Sequence, residues 1–345
     1  MTAPMPIGVR EVDLRDLAEC ARITAFVEAA DGATPFHLPA WSLAVQDGCG
    51  QRAHYLVSES EGAIVGVLPL TAMRSPLFGR ALVSTGFGVD GGILGDAVEP
   101  LSAGAWNLAL RIGCPSVELR GGAAPAGWDS DDGSYLGFVR DLAVDDDAEL
   151  LAIPRKQRAE VRRSLGFDLD IVTGTNRKLL AEHYRVYAES VRNLGTPVFP
   201  AKFFRSVASG MDADVLTVCH EGRAVASVLS LYFNGTVYPY WGGGTGAARG
   251  LRANDRMYFA LMAHARARGC TRFDFGRSKT GTGAAAYKKN WGFKTEPRLY
   301  AKRSKGSARE VNPLNPKYAL MVRTWKKLPL WAANAAGPWI SRGLG

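Results

Sequence analysis

Cysteine is scarce in this chain of 345 residues. Its five thiols, Cys20, Cys49, Cys114, Cys219 and Cys270, are odd in number and scattered, which argues against a disulfide framework or a zinc site and leaves free thiols as the expectation. Histidine is equally sparse. His37, His54, His183, His220 and His264 show no metal-ligand spacing, so no metal is expected. No run approaches the roughly 20 apolar residues of a spanning helix, and Met1 to Arg10 lacks a basic start followed by an apolar stretch; the expected location is the cytoplasm. No Gly-x-Ser-x-Gly elbow surrounds Ser278, which disfavours a serine hydrolase.

Lysine is missing altogether from residues 1–150, which hold 9 Arg against 21 Asp+Glu, a net of −12; residues 151–345 hold 33 Lys+Arg against 12 Asp+Glu, a net of +21. A basic half beside an acidic one fits an anionic partner such as a nucleotide, tRNA or phospholipid, or two domains attracting each other. With 47% hydrophobic and 22% charged residues, the chain is globular and long enough for two ordinary domains.

What is present is a repeated grammar. In the first half a helix is expected over Asp13 to Ala29, a short proline-opened one over Pro39 to Val45, a hairpin turning at Glu61-Gly62, a glycine-rich loop at Gly86 to Gly92, a helix from about Pro100 to Ile112 and a strand at Ser116 to Leu119. The acidic Asp145-Asp146-Asp147 and Pro154 read as a boundary. Beyond it come helices over about Pro154 to Leu165 and Arg177 to Leu194, and a third beginning at Pro200. Hairpins turn at Glu221-Gly222 and Asn234-Gly235, followed by a helix over about Ala253 to Arg268, a strand at Arg272 to Phe275, a short helix over about Gly283 to Asn290 and a last strand near Leu299. Two similar folds are expected, over 1–150 and 151–345.

Chemistry concentrates in Asp274-Phe275-Gly276-Arg277-Ser278-Lys279, Gly281-Thr282-Gly283 and Tyr287-Lys288-Lys289-Asn290-Trp291-Gly292-Phe293. A strand ending in polar residues, a glycine loop and a helix start offer backbone N–H groups to an anion or a developing oxyanion, with cations close by; tight packing and a solvated lysine face are the plain alternative. Tyr240-Trp241-Gly242-Gly243-Gly244, with Arg249 and Asn254, precedes a helix and suits a pyrophosphate or pantetheine arm, or forms a glycine-rich bulge. Arg155, Arg158 and Arg162 align along one helical side, suited to phosphates or to solvent.

At these residues the chain resembles the FemAB-related proteins found with PEP-CTERM/exosortase systems, a branch of the Fem peptidyltransferase and GNAT-like acyltransferase superfamily. The resemblance spans nearly the whole chain: Thr34-Pro35-Phe36-His37 with Trp41, Arg155-Lys156-Gln157-Arg158, Leu194-Gly195-Thr196-Pro197, Asp274 to Ser278 with Gly281-Thr282, Tyr287-Lys288 with Asn290 to Phe293, and Asn312-Pro313-Leu314-Asn315-Pro316-Lys317-Tyr318. It implies an α/β (α+β) fold of tandem duplicated GNAT-like domains, each a mixed sheet flanked by helices. It further implies transfer of an acyl or aminoacyl group to an amine or hydroxyl of a cell-envelope or exopolysaccharide precursor, nucleotide- or lipid-linked. Acyl-CoA or aminoacyl-tRNA would serve as co-substrate, with no tightly bound cofactor. The helical-hairpin arm of some Fem enzymes is missing, which weakens the tRNA donor.

Carried over residue by residue, Lys288 matches the lysine of the family's aromatic-Lys-x-x-aromatic-Gly motif and is expected to stabilise the tetrahedral intermediate, with Asp274 as proton acceptor and Tyr287 beside them. Trp241, Gly243, Arg249, Asn254, Gly276, Arg277, Ser278, Gly281, Thr282 and Lys289 are expected to hold the donor or its phosphates. His37, Trp41, Arg155, Arg158, Thr196, Tyr240 and Trp291 are expected at an acceptor cleft. The competing reading is a non-catalytic GNAT-like module that binds a nucleotide sugar or polysaccharide precursor. The basic, tryptophan-bearing tail over 312–345 packs on the second domain or lies on the inner membrane face.

Overall fold

The computed structural model describes residues 8–306 and 316–345, so the motif from Asn312 to Asn315 lies outside the described residues. The chain divides into two units. The first contains β1 (Gly8–Glu11), α1 (Leu17–Ala29), a single helical turn at Pro35–His37, α2 (Pro39–Cys49), β2 (Arg52–Ser60), β3 (Ala63–Ser75), β4 (Gly79–Ser84), β5 (Leu94–Gly95), α3 (Val98–Ile112), β6 (Ser116–Arg120) and β7 (Asp129–Asp131). Helix α1 begins at Leu17, later than the apolar pattern suggests, because the Asp16 carboxylate accepts from the Ala18 and Glu19 N–H groups and fixes the N-cap there. Glu61 and Gly62 both take positive φ, 52° and 80°, the two-residue turn whose twist matches its strands. The core is Leu68, Leu70, Leu82, Leu101, Leu108 and Val117, where α3 packs on the sheet.

The second unit contains β8 (Tyr135–Asp141), α4 (Asp146–Ala152), α5 (Arg155–Leu165), β9 (Asp170–Gly174), α6 (Arg177–Leu194), α7 (Ala201–Gly210), β10 (Ala213–His220), β11 (Arg223–Phe233) and β12 (Thr236–Gly244). A helical turn at Gly246–Arg249, α8 (Ala253–Ala267), β13 (Arg272–Lys279), α9 (Gly283–Asn290) and β14 (Lys294–Pro297) follow. The chain then forms β15 (Tyr300–Ser304) in the first unit and α10 (Pro316–Trp325) and α11 (Leu330–Ser341). Both further hairpin turns, Glu221-Gly222 and Asn234-Gly235, again pair two positive φ values. Asp145 to Asp147 starts a helix: Asp145 accepts from the Ala148 N–H at 2.8 Å, and the acids that follow sit at the positive end of α4. Buried Glu149 of the same helix pairs with Arg140 and Arg266.

Read from one edge, the first sheet runs β1-β2-β3-β4-β6-β15-β7, with β5 beside β3, and the second runs β9-β10-β11-β12-β13-β8-β14. The two orders match position by position: antiparallel strands, one parallel junction (β4 with β6, β12 with β13), then antiparallel again. Each sheet takes its sixth strand from the other half of the chain, β15 for the first and β8 for the second. The division falls at Gly133/Ser134, at Pro297/Arg298, at Asn312/Pro313 and at Trp339/Ile340, where local sequence suggested residue 150 alone. One difference bears on chemistry. The chain between β13 and β14 forms α9, whereas that between β6 and β7 forms no helix.

Candidate active site

Pro239 has no N–H to give a neighbouring strand, and β12 bulges beside it. Leu229 faces Trp241 while Ser230 faces Pro239, so Tyr240 is the extra, half-buried residue. Already before this bulge β12 stops following β13: their parallel pairing covers only Thr236 with Arg272 and Val237 with Phe273. A second bulge lies on the other side of β13, between Asp274 and Arg277. There Gly276 takes φ 67°, and its N–H donates to Asp274 Oδ1 at 2.7 Å.

Lys288 reaches this stretch of β13 from α9. Thr282 caps the helix, accepting from the Ala285 N–H at 3.3 Å and donating to the Lys279 carbonyl at 2.8 Å, and Gly281 before it takes φ 78°. At the other end Gly292, φ 82°, lies against Pro154, where a Cβ would come within 2.9 Å of Pro154 Cδ. So held, Lys288 Nζ donates to the Arg277 carbonyl at 2.9 Å and lies 5.3 Å from the Phe138 ring centroid and 5.6 Å from that of Phe275. Burial among these groups lowers its pKa to about 8; the negative Asp274 opposes the shift and the Arg277 cation adds to it. Arg277 itself stacks over Tyr135, 4.5 Å from the centroid. The site thus holds a cation that is charged at neutral pH yet poorly hydrated, which strengthens its attraction for a nearby developing negative charge.

Tyr287 points elsewhere. Its hydroxyl donates to Asp255 Oδ1 at 3.3 Å, and Gln157 Nε2 donates to the same oxygen at 2.7 Å, so Asp255 joins α5, α8 and α9. Burial raises the Asp255 pKa. Asp255 was not singled out from sequence, since an acid in the first turn of a helix is ordinary. Phe138 was missed because β8 carries no strong strand pattern.

The glycine run permits close packing. A Cβ at Gly243 would lie 2.5 Å from Ser190 Oγ of α6, one at Gly242 2.8 Å from the Tyr258 hydroxyl of α8, and one at Gly244 2.6 Å from Ala248 Cβ. Helices close on both faces of β12 here. No side chain caps α8, whose N-cap residue Arg252 has φ 52° and a carbonyl that accepts from the Asp255 and Arg256 N–H groups; the Ala253 and Asn254 N–H groups at the positive dipole end suit an anion, with the Asp255 carboxyl in the same turn and exposed Arg249 shortly before. Ser278 is buried in β13, and Lys289 is exposed on α9.

Other expected site residues are used by the fold. Trp241 is only 3% exposed and packs inside an aromatic cluster. Trp291 is fully buried beside Tyr258. Arg158 ties down the Leu151 and Ile153 carbonyls at the end of α4, while Arg155 is exposed. Thr196 donates its N–H to the Val191 carbonyl at 2.8 Å, closing the α6 terminus that Gly195 turns. In the first unit Trp41 is buried with its Nε1 donating to the Gly86 carbonyl, and His37 Nδ1 accepts from the Thr34 N–H. Burial lowers the His37 pKa to about 4, and that of His183 to about 3. Below the ordinary value of 6.5 the unfolded chain binds protons that these rings refuse. Stability should therefore fall on acidification from 6.5 towards about 4, by up to about 1.4 kcal/mol per pH unit for each ring. Urea midpoints across that window check this, with His183→Gln showing the shallower slope.

Residues 153–289 match the acetyltransferase (GNAT) domain family. The fold is similar to that of FemX, with 14% identity and a TM-score of 0.67 over 91% of this chain and 100% of that one. It is also similar to the C-terminal domain (DUF2156) of a protein from Agrobacterium fabrum described as a lysylphosphatidylglycerol synthetase, at 17% identity and a TM-score of 0.58 over 89% and 96% of the two chains. A tandem GNAT protein from the clavulanic acid biosynthesis pathway shares 13% identity and a TM-score of 0.53 over 88% and 100%. No curated protein sequence matches the chain. The architecture, two mixed sheets flanked by helices, is the tandem GNAT-like fold, and the match to the GNAT domain family falls within the second unit.

Proposed function

We propose that the chain is an acyl or aminoacyl transferase, with its chemistry in the second unit, moving an activated acyl group to an amine or hydroxyl of a cell-envelope precursor. The observation that carries this is Lys288, a desolvated ammonium fixed on β13 in the stretch that has parted from β12. The ladder between β12 and β13 ends at Val237 and Phe273, which supports a donor arm entering beside β13, and the start of α8, which no side chain caps, suits the donor's phosphates. An acceptor nitrogen or oxygen attacks the donor carbonyl, forming the new C–N or C–O bond while charge gathers on the carbonyl oxygen. Lys288 stabilises that oxyanion. Collapse expels the thiolate of a CoA ester, or the ribose oxygen of a charged tRNA, which takes up the proton lost by the acceptor. The envelope assignment rests on the sequence resemblance.

Native mass spectrometry and calorimetry with acetyl-CoA, longer acyl-CoAs and charged tRNA test the reading, followed by single-turnover assays. Donor binding with acyl loss is expected. A donor bound tightly and recovered intact, even with amine and hydroxyl acceptors supplied, would make the chain a binding module instead.

A further inference from the structure

Residues 316–345 hold five Lys+Arg and no Asp or Glu, and α11 within them has no charged residue at all. One side of α11 faces the protein: Ala333 is buried, and a Cβ at Gly337 would meet the Val198 backbone N at 3.1 Å. The opposite side carries Trp331, Ala335 and Trp339, spaced four apart along one helical stripe. Both indoles face solvent, 77% and 52% exposed. Nearby α10 exposes Leu320 and Met321, and Arg323, Lys326 and Lys327 are exposed around its end. Exposed tryptophan is costly in water, yet the indole suits a boundary where its ring meets acyl chains and its N–H meets headgroups. The two indoles stand about 12 Å apart along the helix, a spacing that favours a flat surface over a single pocket.

We propose that this face docks the protein on an anionic lipid bilayer, α11 lying in the headgroup plane with Trp331 and Trp339 inserted and Arg323, Lys326 and Lys327 drawn to lipid phosphates. Charge complementarity selects this occupant: a segment with five cations and no acid of its own suits a surface of the opposite sign. The helix lies on the membrane rather than through it, since no helix among the described residues is long and apolar enough to span. The inference stands independently of the acyl-transfer reading.

Flotation of the full chain with phosphatidylcholine vesicles, alone or with about 30% phosphatidylglycerol, tests it. The wild type should float with the anionic vesicles, less so in about 0.5 M salt, and weakly or not at all with the neutral ones. Trp331→Glu/Trp339→Glu should lower the bound fraction about tenfold with unchanged circular dichroism, and Lys326→Glu/Lys327→Glu should weaken only the anionic preference. Failure of the wild type to float, or equal flotation of the tryptophan variant, overturns the proposal. So does light scattering that shows a dimer dissolved by the tryptophan changes, since the face would then belong to a second copy of the chain.

Discussion

Lys288→Met should lower the single-turnover rate of acyl transfer by about 10²–10³-fold while making the protein more stable at neutral pH. The two effects share one cause. Holding a charged lysine where its pKa drops from 10.5 to about 8 costs on the order of 3 kcal/mol, partly offset by its bond to the Arg277 carbonyl. Methionine fills similar space without a charge, so a net gain of about 1–2 kcal/mol is expected. The pH dependence follows. Above about 8 the folded lysine is neutral while the unfolded chain still binds its proton up to 10.5, so wild-type stability rises with pH across that window and the variant's does not. The rate should move the other way, falling as pH climbs through about 8 and the stabilising ammonium disappears. Urea unfolding and a pH–rate profile read the two halves. A variant with full turnover would remove Lys288 from the chemistry.

Trp241→Ala should cost about 3–5 kcal/mol of stability, the usual penalty for emptying a large aromatic site. Trp241 packs 4.5 Å, centroid to centroid, from Phe204, 5.0 Å from Phe203 and 5.1 Å from Tyr240. If its role is this packing, Trp241→Phe recovers much of the loss, and donor affinity measured on that folded variant stays within about threefold of wild type. A tenfold weaker donor with stability intact would instead return the indole to the ligand site. Denaturant titration and calorimetry on the two variants decide it.

Local chemistry wrote much of the fold into the sequence. Glu61-Gly62, Glu221-Gly222 and Asn234-Gly235 mark hairpin turns wherever they occur, and α6 and α9 run between the residues their apolar spacing and caps suggest. Non-local pairing was not legible. Nothing in Tyr135–Asp141 announces that it inserts between β13 and β14, nor in Tyr300–Ser304 that it joins β6 and β7. The acidic run at Asp145 resembles a linker in composition but caps α4, because helix starts and linkers both favour acids. For the site, the run from Asp274 to Gly292 shows itself as strand, glycine turn and helix, whereas the burial that shifts Lys288 does not. It depends on Phe138, far away in the chain.

The exchange of β8 and β15 also constrains how the protein is made. While the ribosome is still synthesising the second unit, the first sheet lacks β15, the strand that β7 pairs with and that covers β6. A nascent first half therefore waits, through roughly ten to thirty seconds of translation at common elongation rates, with a bare strand edge. Such an edge invites pairing with a neighbouring nascent chain. Cutting the gene between the halves would make that exposure permanent, so the two units behave as one unit of synthesis even where their sheets are separate.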